Sequence, residues 1–162
     1  MDKNQAVLDF IGTYEGISTS PIFVNFMNAK DKDIQFLTSS NDTTLNRKFI
    51  DGSVMKQYTF SIVITRSITD IALIQALESG ESNENIADLA EIQAFMDWIN
   101  EQGENQFFPN FGTGYTVESM KTENTDPRLN GVDTSVNPPL AQYSIAVTVT
   151  YLDETKMVWS TN

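Results

Sequence analysis

Two periods of apolar residues run through this chain, and the longest helical one lies between two strand-like ones. From Asn83 to Glu101, Ile86, Leu89, Ile92, Phe95, Met96 and Ile99 recur at spacings of three and four. That spacing sets them on one stripe of a 3.6-residue helix. Glu84, Asp88, Glu91 and Glu101 fall on the other side. A stripe of this kind needs a sheet or a second helix to cover it. Asn83 or Asn85 is the expected N-cap, Asp88 in the first turn complements the macrodipole, and Gly103 is the expected stop.

Strict alternation marks the flanking strands. In residues 54–67, Tyr58, Phe60, Ile62 and Ile64 share one face while Thr59, Ser61, Val63 and Thr65 share the other. In 142–153, Tyr143, Ile145, Val147, Val149 and Tyr151 line one face, with Ala146, Thr148 and Thr150 opposite. A greasy face beside a mostly hydroxyl face predicts a sheet covered on one side.

Weaker patterns fill the rest. Val7, Phe10, Ile11 and Tyr14 predict a short helix over 3–16, ended by Gly16. Residues 21–28 and 34–39 have strand composition around a polar turn and predict a β-hairpin. Residues 39–53 read as a polar connection with a turn at Asp51-Gly52. Residues 68–82 fit a helical turn or an extended arm, with Ile71, Ile74 and Leu77 favouring helix. Phe107, Phe108 and Phe111 are expected to plug one end of the core before a strand at 115–122. Asp126-Pro127, Asn130-Gly131 and Pro138-Pro139 predict a long loop over 123–141, of a length that compact domains keep for function, here an assembly contact, or leave disordered until assembly. Met157, Val158 and Trp159 either extend the last strand or dock on another subunit. The expected fold is α+β: one domain over 1–162, with a mainly antiparallel sheet of four to five strands and the long amphipathic helix and the N-terminal helix packed on it.

Composition narrows the function. The chain has neither cysteine nor histidine, which removes disulfides, thiolate nucleophiles, histidine bases and histidine- or thiolate-bound metals. A net charge of −12 argues against gripping nucleic acid or anionic lipid. No Lys or Arg occurs from Ser67 to Met120, while Asp70, Glu78, Glu81, Glu84, Asp88, Glu91, Asp97, Glu101, Glu104 and Glu118 all do. That acid is either a solvated face that keeps the protein soluble or a surface that repels DNA or meets a basic partner. Arg47 and Lys48 are the only adjacent basic pair, too few for a nucleic-acid patch.

Candidate chemistry is sparse. Asp31 and Asp33 form a D-x-D without the spaced oxygens, central glycine and closing glutamate of a calcium loop. Asn41-Asp42-Thr43 matches a glycosylation sequon, relevant only to a secreted protein. Gly112-Thr113-Gly114 lacks the lysine and flanking glycines of a phosphate loop. The carboxylates sit mainly at positions a helix exposes, so no enzyme is expected, and no catalytic, cofactor-binding or metal-binding residue is assigned. No apolar run approaches a membrane span, and the first ten residues lack the features of a signal peptide, so a cytoplasmic product is expected.

Several stretches in one order carry a resemblance: KFIDGSVMKQYTFSIVITRS, the helix ending IQAFMDWINEQ, FPNFGTGYTVESMKTENTDPRLNGVD, and AQYSIAVTVTYLDE. From Lys48 to Glu154 the chain resembles the tail-terminator and minor capsid, or head–tail joining, proteins of tailed phages and prophages of Gram-positive bacteria. The resemblance implies a structural virion protein that forms a ring, commonly a hexamer, on the head-proximal end of the tail tube. Its implied partners are further copies of itself, the tail tube protein and the head connector. It further implies that DNA passes through the bore without specific binding, that no cofactor is used, and that the protein belongs to the tail or neck of the virion after assembly in the host cytoplasm. The alternative from the residues alone is a monomeric cytoplasmic module that binds a small ligand or peptide through an apolar pocket.

Overall fold

The computed structural model describes residues 2–17, 22–24, 34–38, 43–67, 83–136 and 139–156. Among the described residues the fold is α+β, built on one largely antiparallel sheet with two α-helices on one of its faces. In chain order the elements are α1 (Lys3–Ile11), β1 (Ile22–Val24), β2 (Ile34–Thr38), β3 (Thr43–Lys48), β4 (Val54–Ser67), α2 (Asn83–Glu104), β5 (Tyr115–Thr122), β6 (Arg128–Asp133) and β7 (Leu140–Asp153).

β4 and β7, each 14 residues long, pair antiparallel along their whole length, from Val54 opposite Asp153 to Ser67 opposite Leu140. Each carries two short strands on its outer edge. β3 and β2 follow one another along β4, with β1 outside β2, and β5 and β6 along β7, giving seven strands among the described residues where the residue pattern predicts four to five. The two additional strands are β3, inside the expected connection 39–53, and β6, inside the expected loop 123–141. The hairpin expected between 21–28 and 34–39 is corrected: β1 and β2 pair parallel, Ile22 opposite Ile34 and Val24 opposite Phe36.

The predicted inward faces form the core. Tyr58, Phe60, Ile62 and Ile64 of β4, and Tyr143, Ile145, Val147, Val149 and Tyr151 of β7, are buried together with Ile34 and Phe36 of β2. Ala6, Val7 and Ile11 of α1 and Ile92, Phe95, Met96 and Ile99 of α2 close over them. Burial of each large aliphatic or aromatic side chain contributes about 1.5–3 kcal/mol. The helices meet through rings: Phe10 stacks on Trp98 with centroids 5.1 Å apart, and Tyr14 lies 5.0 Å from both Phe95 and Trp98. Side chains at 83–89, including Ile86, Asp88 and Leu89, lie outside the described ones.

Asp2 caps α1 by accepting from the Asn4 N–H at 3.1 Å. The helix ends at Ile11, earlier than the expected Gly16, and residues 15–17 form a single 3-10 turn. Gly103 does not stop α2. It is helical, and a Cβ there would lie 2.2 Å from the Met120 carbonyl oxygen, so glycine is what lets the helix touch β5. The stop is Gln106, at φ 61°, which lets the Phe107 N–H reach the Gln102 carbonyl at 2.9 Å and satisfy the last turn. Asn83 and Asn85 both lie within the bounds of α2, Asn83 as its first residue. Of the three expected plug residues, Phe111 is buried, edge-on to Tyr58 and Tyr151; Phe108 is half-buried, and Phe107 points outward.

Candidate functional site

The sheet face away from the helices is not uniformly open. Thr59 is exposed, but Val63, Thr65 and Thr148 on the same face are buried. Leu37, Thr59, Ser61, Glu123, Ala146 and Thr148 outline a shallow groove of about 410 Å³ on this face. The Thr148 hydroxyl donates to the Glu123 carboxylate there. One acid and a few hydroxyls give the groove hydrogen-bonding capacity without a paired acid and base.

Asn124 shapes the rim of this groove. Between β5 and β6 the outer edge of β7 has no strand beside it, and the Asn124 amide fills the gap. Its Oδ1 accepts from the Ala146 N–H at 3.0 Å, and its Nδ2 donates to the Ser144 carbonyl at 3.3 Å and the Asp126 carbonyl at 2.7 Å. The Glu123 N–H supplies the next rung to the Ala146 carbonyl at 2.7 Å. The side-chain amide thus takes the place of a peptide unit. The neighbouring ladders shift register at Glu118 and Asn130, so the free edges of β5 and β6 are irregular. The Asn130-Gly131 pair, expected to be a turn, is this second irregularity.

The turn from β3 to β4 is a second surface feature. Phe49, Ile50, Asp51 and Gly52 form it, closed by the Phe49 N–H to the Ser53 carbonyl at 2.9 Å. Gly52 sits at φ 92°, where glycine is at ease. The Asp51 carboxylate accepts from the Ser53 hydroxyl at 2.6 Å and the Ser53 N–H at 2.9 Å, and these bonds lower its pKa from the ordinary value. A fixed turn therefore holds Ile50, 98% exposed, and Phe49, 44% exposed, out in solvent. Arg47 and Lys48 beside it are exposed too. Residue patterning places a turn and a basic pair here but misses the apolar tip; the signal was two large apolar residues abutting a Asp-Gly turn instead of lying within a strand.

The third is the outer side of α2. Glu91, Asp97, Glu101 and Glu104 are exposed, and among the described residues Glu91 has an ion-pair partner there, Arg66 at 3.5 Å. Next to it, Ala6, Asp9, Phe10, Thr13, Phe108 and Pro109 line a groove of about 250 Å³ between α1 and the 108–110 segment.

Elsewhere the ionisable groups are structural. Burial alone raises the Asp153 carboxyl, but hydrogen bonds from Lys56 at 2.8 Å and from the hydroxyl and N–H of Thr155, with the Lys56 charge, bring it down to about 2. Lys3 lies over the rings of Tyr115 and Tyr151, 4.7 and 5.4 Å from their centroids. Among the described residues no group of three or more acids is placed to hold a metal. Asp31, Asp33, the 41–43 sequon apart from Thr43, the 68–82 segment and the 157–159 tail lie outside them. No helix among the described residues is long and apolar enough to cross a membrane.

No protein-family model matches this chain, and no curated protein sequence matches it.

Proposed function

We propose that this chain is a structural virion protein, a ring-forming tail terminator that caps the tail tube and joins it to the head connector. The observation that carries the reading is the one-sided charge of α2. Glu91, Asp97, Glu101 and Glu104 are exposed on a helix whose other side is core. Such a face, turned to the bore of a ring, repels DNA and lets it slide without adhering. The sequence resemblance from Lys48 to Glu154 and the apolar turn at Phe49–Ile50 support the same reading, since a ring subunit needs contact surfaces for its neighbours. On this reading the protein has no turnover and belongs to the neck or tail of the particle.

Electron microscopy of the purified protein, alone and mixed with tail tubes, tests it. Rings, or density capping one end of the tubes, are expected. A strict monomer that binds neither tubes nor head connector overturns the reading.

The groove on the outer sheet face favours a second reading, a monomeric module that binds a small ligand or peptide. That reading requires a ligand that raises the melting temperature, with a stabilisation that grows as the logarithm of one plus its concentration over Kd.

A further inference from the structure

The Phe49–Ile50 turn is a surface built to meet something, because its apolar side chains are held in water by a fixed backbone. The φ of Gly52, the Asp51–Ser53 bonds and the closing bond from Phe49 leave the tip no local way to fold them inward. We propose that this tip is the plug of a head-to-tail contact between copies of this chain. It seats in the groove that Ala6, Phe10, Thr13, Phe108 and Pro109 line on the next copy. This rests on the ring reading above and names the contact that would build the ring.

Charge selects a second copy as the occupant. The tip carries Arg47 and Lys48, the only adjacent basic pair in a chain of net charge −12. Among the described residues the groove carries Asp9 and no lining Lys or Arg. Its wall residue Phe10 stacks on Trp98, which backs the groove with a second ring. The one cation of α1, Lys3, is engaged with the Tyr115 and Tyr151 rings. A basic, apolar projection and an acidic, apolar groove therefore occur on one molecule. Size agrees as well: a space on the order of 150 Å³ admits a benzene ring, and the groove offers about 250 Å³. Tip and groove are different patches, so the contact is heterologous and propagates from copy to copy, closing where the rotation per step divides a full turn. The irregular free edges of β5 and β6 make strand-to-strand addition the poorer alternative.

The absence of native cysteine makes the test clean. Ile50→Cys and Thr13→Cys variants, each otherwise wild type, are mixed and mildly oxidised, beside a control mixture of Ile50→Cys with Glu118→Cys. Both target positions are exposed, and circular dichroism checks that each variant is folded. A disulfide-linked pair in the first mixture, several-fold above the control and above either variant alone, is expected. Arg47→Glu with Lys48→Glu is expected to abolish the oligomer, and adding Asp9→Lys in the same chain to restore it. Equal cross-linking in target and control mixtures, or charge reversal without effect on assembly, overturns the plug. Electron microscopy of the wild type separates the two ideas. Wild-type rings without the tip cross-link leave the ring reading standing and remove the plug, whereas a wild type that is monomeric with and without tail tubes removes both.

Discussion

The amide of Asn124 stands in the β-ladder opposite Ala146, accepting its N–H at 3.0 Å where a strand backbone would otherwise do so. One side chain splices β5 to β6 and keeps the edge of β7 continuous.

Asn124→Ala leaves the Ala146 N–H and the Ser144 carbonyl without this partner. Each partly buried group left unpaired costs about 1–3 kcal/mol. The melting temperature falls, and amide exchange at Ala146 speeds up more than at Val149, which lies deeper along the same strand. Asn124→Asp keeps the acceptor for Ala146 and loses the donor for Ser144, so its loss is intermediate.

Gly103→Ala is a helix substitution that propensity alone favours by about 1 kcal/mol. The close approach to the Met120 carbonyl reverses the sign, because the added methyl would sit 2.2 Å from that oxygen. A net destabilisation of about 1–3 kcal/mol is expected. The control is Gly131→Ala, where no atom lies within 4 Å of the new Cβ, and which is neutral or stabilising by up to about 1 kcal/mol. Denaturant midpoints of the two variants decide.

Gln106→Gly works in the opposite sense. The left-handed conformation costs an L residue about 1–2 kcal/mol, against about 0.5–1 kcal/mol of extra chain entropy lost by glycine. Gln106 is exposed, so little packing is lost. The melting temperature should rise by about 2 °C. A fall would show that the glutamine side chain contributes more to the helix end than its backbone strain costs.

Asp153 sets an acid limit. Its carboxyl titrates at about 2 in the fold against 3.8 for the free group, so the folded state favours the ionised form. That stability is present in full above the unfolded value and is lost as pH falls from about 4 through about 2. Asp51 and Asp133 shift the same way, each through bonds from the serine two residues on, its hydroxyl first and its N–H second. Asp153→Asn is expected to lower the neutral-pH melting temperature by about 2–4 °C, the shift that ~1 kcal/mol produces at this size. The difference from wild type should shrink steeply between about pH 4 and about pH 2 and vanish below it; an unchanged gap there would assign the loss to packing instead of charge.

The strands with strict alternation and the helix with a clean stripe were legible because burial on one face writes a period into the residues. β4, β7 and the Ile92–Ile99 part of α2 are of this kind. β3 and β6 were not. RLNGVD is an edge segment without a buried side chain, and TTLNRK ends on the exposed Arg47 and Lys48, so neither shows a clear alternation, and Asn130-Gly131 serves a strand irregularity as readily as a turn. The direction of β1 was invisible for a related reason: composition marks a strand but says nothing of which way its neighbour runs. Gly103 carries the same sequence signal for a stop as for a close approach, and only the position of Met120 separates the two. The acidic side of α2 could be read from charge spacing, whereas the Phe49–Ile50 tip was hidden inside what reads as a polar connection over 39–53.

The long β4–β7 ladder has a mechanical consequence. Val54 and Leu140 begin their strands at opposite ends of it. The Phe49–Ile50 turn leads directly into Val54, so traction on that turn, resisted at the Leu140 end, runs parallel to both strands. The rungs are then loaded side by side in shear instead of unzipping in sequence, the geometry in which a sheet yields last.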